Sequence, residues 1–469
     1  MAEARPAALW APRAWLPDQA ARGGWHDRVL LRIGADGRFS EISANVAQPP
    51  ADAQVLAGAL LPGLVDAHSH AFQRAFAGLA ERRQSAADDF WSWRDRMYDV
   101  ALRIGPGELR AVAAQLYVEL LAGGYTQVCE FHYLQHDRDG RPYADPLELS
   151  WALADAAAEA GIGLTLLPVL YERAGFDRPA LRDDQRRFAM GAADVWRAAQ
   201  ALNDSGRPLL NAGVAIHSLR AAAPASIAEL QRLAGGFDGP IHIHVAEQTG
   251  EVDDCLKATG ARPIEWLAKA KLLDRRWHLV HATHTVAAEI EAVAQSGATV
   301  VVCPSTEANL GDGLADLPGW LAAGVPLAIG SDSHVARDML EELRWLDYGQ
   351  RLALHRRNVS AAPHDGVPST AARLLGLAVD GGAAAAAMAP WGLRVGARAD
   401  ALVVDHSAGP LLGMPPEQLL DALVFSSPGR PWRDVMVAGR WVVSGHRHAL
   451  GETIARRFEA AMQAIWGAR

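Results

Sequence analysis

The chain has 469 residues, half of them hydrophobic, so it can bury a large core and is too long for one compact layer of structure. Its formal net charge is −9, with acidic and basic residues interspersed, which argues against a nucleic-acid surface or a membrane-binding basic patch. The three cysteines, Cys129, Cys255 and Cys303, stand far apart and in no CxxC pattern, which argues against a disulfide framework and a thiolate zinc site.

Residues 1–57 carry short strand-like runs with turn residues, among them RVLLRI, and so does the stretch 391–445, with ALVVD and RDVMVAGRWVV. Neither flank alone has enough alternating strand for a stable sheet. The two termini, 1–57 and 391–469, are therefore expected to pair into one small β-sandwich domain with a C-terminal helix. Between them, short Val/Ile/Leu-rich runs alternate with Ala-rich segments of helical spacing. The predicted strands are 60–67, 125–131, 163–170, 210–216, 240–246, 277–282, 298–303 and 325–330. Eight such units predict an α/β fold, a closed (β/α)8 TIM-type barrel over 58–390. A doubly wound open sheet would use the same local pattern, but it collects ligand groups at one switch point. Here polar residues stand at the ends of six strands: His68 and His70, His132, His217, His244, His281 and Asp332. A barrel gathers all of these into one mouth. The alanine run 383–387 is expected to be helix or a loose link. No apolar signal region follows the N-terminus and no run reaches membrane-spanning length, so the expected location is the cytoplasm.

The first predicted strand ends in Asp66-Ala67-His68-Ser69-His70. Residues two apart on a strand share a face, so His68 and His70 can offer two imidazoles to one ion. The fifth reads His242-Ile243-His244-Val245-Ala246-Glu247. His244 falls where a barrel keeps its ligands, and the Glu247 carboxylate just beyond can hydrogen-bond a metal-bound water and move its proton. His242 has the same parity but sits deeper, as a hydrogen-bonded interior histidine would. The sixth strand supplies His281, and the eighth runs into Gly330-Ser331-Asp332-Ser333. Asp332 alone would read as a helix N-cap; with three histidines at equivalent strand ends it reads as a ligand. The expected metal set is His68, His70, His244 and Asp332.

HxH after the first strand, HxxE after the fifth, His after the sixth and Asp after the eighth together resemble the amidohydrolase superfamily. The likeness extends over nearly the whole chain, from LPGLVDAHSH to GARADALVVD. More narrowly, the chain resembles the deaminase and chlorohydrolase branch, and within it the formimidoylglutamate deiminase family of histidine degradation. That resemblance implies hydrolysis of N-formimidoyl-L-glutamate to N-formyl-L-glutamate and ammonia, with Glu247, His281 and Asp332 catalytic, and a homodimer. Relatives with two metals bridge them through a carboxylated lysine, or sometimes a glutamate, on the third or fourth strand. All three lysines here, Lys257, Lys269 and Lys271, come later, so one divalent metal is expected, and the N and O donors suit zinc.

A substrate with two carboxylates and an amidine calls for arginines. Arg94, in Phe90-Trp91-Ser92-Trp93-Arg94, lies in a 71–105 segment that could form a lid, and Arg220 follows His217 beyond the fourth strand. The family resemblance adds Gln73 and Tyr133, and His217 is expected against the substrate. The bland alternatives are surface exposure for Arg94, helix capping for Arg220, and ordinary packing for Tyr133 and the Trp91/Trp93 pair. Two other functions compete. A deaminase of guanine, an adenosine derivative or a chlorotriazine would bind flat uncharged rings with aromatic and amide groups. A non-catalytic scaffold would be expected to lack several of the ligands.

Overall fold

The computed structural model describes residues 5–17, 23–82, 90–426 and 429–467. Eight parallel strand positions form a ring: Leu64–Ser69, Tyr125–His132, Gly163–Leu170, Leu210–Ala212 continued by Val214–Ile216, Ile241–Val245, Trp277–His281, Thr299–Val302 and Leu327–Ile329. Every residue of seven of these strands is buried, as a sheet covered by helices outside and filled by side chains inside requires. The ladder runs in sequence order from the first strand to the eighth. Closure between the eighth and the first rests on one parallel bridge, Ser69 with Asp332. There the Asp332 amide donates to the His68 carbonyl at 2.9 Å and the His70 amide to the Asp332 carbonyl at 3.3 Å. The barrel thus closes at the residues expected to hold the metal.

The stretch 60–67, expected as one strand, is divided. Leu60–Leu61 belongs to the other sheet, pairing with Ala14 and with Leu402 and Val403, and Pro62-Gly63 separates it from the barrel strand. Proline has no N–H to give to a ladder. A Cβ on Gly63 would meet the Thr126 side chain at 2.4 Å, so only glycine lets the chain pass this close.

The second sheet has nine strands drawn from both ends of the chain. Leu60–Leu61 stands between the N-terminal strand Ala8–Leu16 and the C-terminal strand Ala401–Val404, where the two flanks meet. The sheet has a core of its own that includes Leu9, Leu31, Phe39, Val403 and Met436, consistent with the expected sandwich. The C-terminal helix Gly451–Trp466 lies instead against the barrel helix Pro106–Ala122. Trp466 Nε1 donates to the Ala75 carbonyl at 2.9 Å, and the Arg74 guanidinium covers the Phe458 ring. The alanine run is the end of helix Thr370–Ala385 and the turn that follows it. All three cysteines are free and buried.

Candidate active site

Side chains from four strand ends converge at the carboxyl mouth of the barrel. His68 Nε2 and His70 Nε2 lie 3.5 and 3.4 Å from Asp332 Oδ1, and His244 Nε2 lies 3.0 Å from His68 Nε2. His70 donates its Nδ1 hydrogen to the Phe131 carbonyl at 2.9 Å, which leaves Nε2 as the free lone pair. Burial depresses the imidazoles: His68 to about 3, and His70 and His244 below their ordinary value, so all three are neutral at physiological pH. Burial opposes ionisation of Asp332, but the hydrogen bond from His68 and the neighbouring His281 and His70 outweigh it and hold the carboxyl well below the usual range. His68, His70 and Asp332 stand close enough to share one ion, and so do His68, His244 and His281, so the buried neutral imidazoles of His68, His70 and His244 and the Asp332 carboxylate offer donors suited to a divalent metal ion.

Two further groups face this cluster. Glu247 Oε1 is 3.6 Å from His281 Nε2, and His281 Nε2 is 3.8 Å from Asp332 Oδ2. Burial raises the Glu247 carboxyl, helped by the charges of Asp332 and Glu251 and opposed by His281. For His281, burial works downward, but Glu247, Glu307 and Asp332 overcome it and push the imidazole up to about 10. The corner after the fifth strand is held by Glu251, which accepts from the Ala246 and Glu247 amides at 3.3 and 3.1 Å. Ala246, His281 and Asp332 have φ of +53°, +70° and +48°, a left-handed backbone that costs roughly 1–3 kcal/mol per residue and clusters at functional sites.

One cavity opens onto these groups, and all five expected substrate residues, Gln73, Arg94, Tyr133, His217 and Arg220, line it. Gln73 Nε2 donates to Tyr133 Oη at 3.2 Å. The His217 ring packs edge-on to Tyr171 at 4.3 Å, and burial with the nearby Arg220 keeps it neutral. The Arg94 side chain is 15% exposed and its guanidinium sits over Tyr98, so it is not a freely solvated surface arginine. Trp93 lines the cavity and packs on Phe76, whereas the Trp91 side chain lies outside the described residues. His132 is buried but is not part of the lining. His242 behaves as an interior histidine, with Nε2 donating to the Ala385 carbonyl at 2.9 Å.

Several contributors were not singled out from the sequence. Glu307, on helix Pro304–Leu310, has Oε1 3.4 Å from His281 Nδ1 and accepts the Cys303 amide at 2.9 Å. Its sequence signal is a glutamate in the first turn of a helix, which any helix N-terminus attracts. Behind HxH runs a buried polar chain. Asp66 accepts from the Ser331 amide at 2.8 Å and hydroxyl at 2.5 Å, Ser331 Oγ lies 3.0 Å from His334 Nδ1, and Ser69 donates to Glu130 at 2.7 Å. The spacing 66, 68, 70 places Asp66 on the ligand face and was the available clue.

The Amidohydrolase family profile matches residues 59–442. Formimidoylglutamate deiminase of Pseudomonas aeruginosa is 48% identical over 456 residues, 96% of this chain and 98% of that protein. The 5-methylthioadenosine/S-adenosylhomocysteine deaminase of Halobacterium salinarum is 29% identical over 92% of each chain. Among solved structures, an amidohydrolase from Brucella melitensis superposes with a TM-score of 0.91 at 41% identity, covering 98% of this chain and 99% of that one.

Proposed function

The chain belongs to the amidohydrolase family, and on that premise we propose that it is a metal-dependent deiminase, hydrolysing N-formimidoyl-L-glutamate to N-formyl-L-glutamate and ammonia. The observation that carries this reading is a single cavity lined both by residues of the histidine and aspartate cluster with Glu247 and by Arg94 and Arg220. A flat uncharged ring would have no use for two arginines; a glutamate tail has two carboxylates for them.

His68, His70, His244 and Asp332 would hold one divalent metal, with zinc favoured by the donor types. No lysine precedes Lys257 to bridge a second one. A metal bound there supplies Lewis acidity and lowers the pKa of a water at the site. Glu247, its carboxyl raised by burial toward neutrality, takes the proton of the attacking water and passes it to the departing amidine nitrogen, which leaves as ammonia. His281, held as a cation between Glu307 and Glu247, donates from Nε2 to the oxygen as the tetrahedral centre forms. Asp332, kept ionised, can accept a hydrogen bond from the attacking water and so orient it. Arg94 and Arg220 bind the carboxylates, while Gln73, Tyr133 and His217 orient the formimidoyl end. The barrel, 58–390, performs the chemistry, with 1–57 and 391–469 as the supporting β-domain. A homodimer acting in the cytoplasm in histidine degradation completes the reading; no helix among the described residues is long and apolar enough to cross a membrane.

Ammonia release from the purified zinc-loaded protein, measured over N-formimidoyl-L-glutamate, guanine and S-adenosylhomocysteine, tests it. Turnover of the first is expected. Turnover of either ring substrate with none of the first overturns the assignment.

A further inference from the structure

Arg94 and Arg220 line two spaces. One is the catalytic cavity; the other is a cleft outside it, bounded by the loop after the third barrel strand and by helix Thr249–Thr259. The loop contributes Arg178 and Arg182, and the helix contributes Lys257. Two acidic side chains, Asp177 and Asp254, share the walls, and Arg182 is offset by Asp184 and Asp95. Arg178 and Lys257 are exposed, and among the described residues neither forms an ion pair. The cationic side chains therefore form a graded path, from exposed at Arg178 and Lys257 to mostly buried at Arg94.

This arrangement stands on a chain whose net charge is −9. The protein as a whole repels an anion, and a cleft that presents unpaired cations directly outside the pocket arginines reverses the local field. We propose that the outer cleft is an anion-capture subsite, in which Arg178 and Lys257 receive the carboxylates of the substrate before Arg94 and Arg220 and hold those of the product afterwards. This rests on the dicarboxylate reading of the catalytic cavity. Hydrolysis adds a consequence. The substrate carries an amidinium beside its two carboxylates, and the product carries a neutral amide, so the product is the more anionic of the two. The cleft favours the product more than the substrate, and inhibition by product is the more salt-sensitive constant.

The test is the Arg178→Gln/Lys257→Gln variant beside a control, Lys271→Gln/Arg275→Gln, which removes the same charge before the sixth strand, at the opposite end of the barrel. At low ionic strength the test variant is expected to lose about 3- to 10-fold in kcat/KM, with the loss confined to that ratio and the control at the wild-type value. The gap should close near 0.5 M salt, where the screening length is about 4 Å. Equal kcat/KM for test variant and wild type at low salt, an equal loss in the control, or a loss that high salt leaves unchanged would each overturn the proposal. Calorimetric binding of N-formyl-L-glutamate is measured in parallel. If N-formimidoyl-L-glutamate is not turned over, the functional reading falls by itself. Salt-dependent binding of the N-formyl compound that the test variant loses still supports the cleft, and binding equal in wild type and variant, or absent from both, overturns it.

Discussion

His281 is gripped from both sides, by Glu307 at Nδ1 and by Glu247 and Asp332 at Nε2. Glu307 fixes the ring so that the Nε2 hydrogen is the one presented to the cavity. Two outcomes follow from this division of labour. Glu247→Gln keeps the shape and the metal but cannot carry a proton, so metal content by elemental analysis is expected to be unchanged while kcat falls about 10²- to 10⁴-fold. Glu307→Gln keeps an acceptor for Nδ1 but removes its charge, so kcat should fall about 10-fold or more with KM little altered and metal retained. A KM effect alone would remove Glu307 from the orienting role. The histidines and Glu247 were legible in the sequence because the spacing of residues along one strand decides which of them share a face. Glu307 was not, because its partner His281 is 26 positions away on the sixth barrel strand and a first-turn glutamate is common to many helices.

At the level of elements, the site depends on how the eighth strand meets the first. Gly330 lies against His68 so closely that a Cβ would stand 2.7 Å from His68 Cβ and 2.9 Å from its amide nitrogen. Gly330→Ala must push the two strands apart, at a cost of about 1–3 kcal/mol. Because the same contact sets His68 against Asp332, zinc affinity measured by chelator competition is expected to fall about 10- to 100-fold, further than stability alone would suggest. Unchanged zinc affinity would show that the closure and the donor set are independent. The chain Asp66, Ser331, His334 ties these two strands by hydrogen bonds in a place where water cannot substitute. Strand periodicity predicted both strands; the division of 60–67 at Pro62-Gly63 escaped it, since an uninterrupted apolar run does not reveal which of two sheets each half joins.

Over the whole molecule, the two sheets are locked by Arg398. Its guanidinium donates to Asp400 at 2.9 and 2.6 Å, to Gln127 Oε1 at 2.8 Å and to the Thr126 carbonyl at 2.9 Å, with the side chain 7% exposed. Gln127 and Thr126 belong to the second barrel strand, so this arginine joins the β-domain to the floor of the barrel. Arg398→Ala leaves Asp400 buried without its cation, and a loss of about 3–5 kcal/mol in denaturant unfolding is expected, with kcat of the folded fraction retained. A change below about 1 kcal/mol would mean the two bodies are held by their apolar contact alone. The C-terminal helix makes a similar point. Its apolar face, with Ile454, Ala461 and Ile465 buried, announces an amphipathic helix, but not that the receiving surface is the barrel helix Pro106–Ala122 rather than the neighbouring sheet.

By itself the sequence determined the repeating strand and helix units, the parity that pairs His68 with His70, the strand ends at which His244, His281 and Asp332 stand, and the absence of a lysine to bridge a second metal. All of these are properties of neighbours along the chain, governed by the two- and 3.6-residue periods. Only the tertiary structure decided that Arg94 and Arg220 line one cavity, that Glu307 stands behind His281, that His132 stays out, and that a cationic cleft lies outside the pocket. Those depend on ring closure, which brings residues far apart in sequence within a few ångströms of one another, and no local pattern encodes that distance.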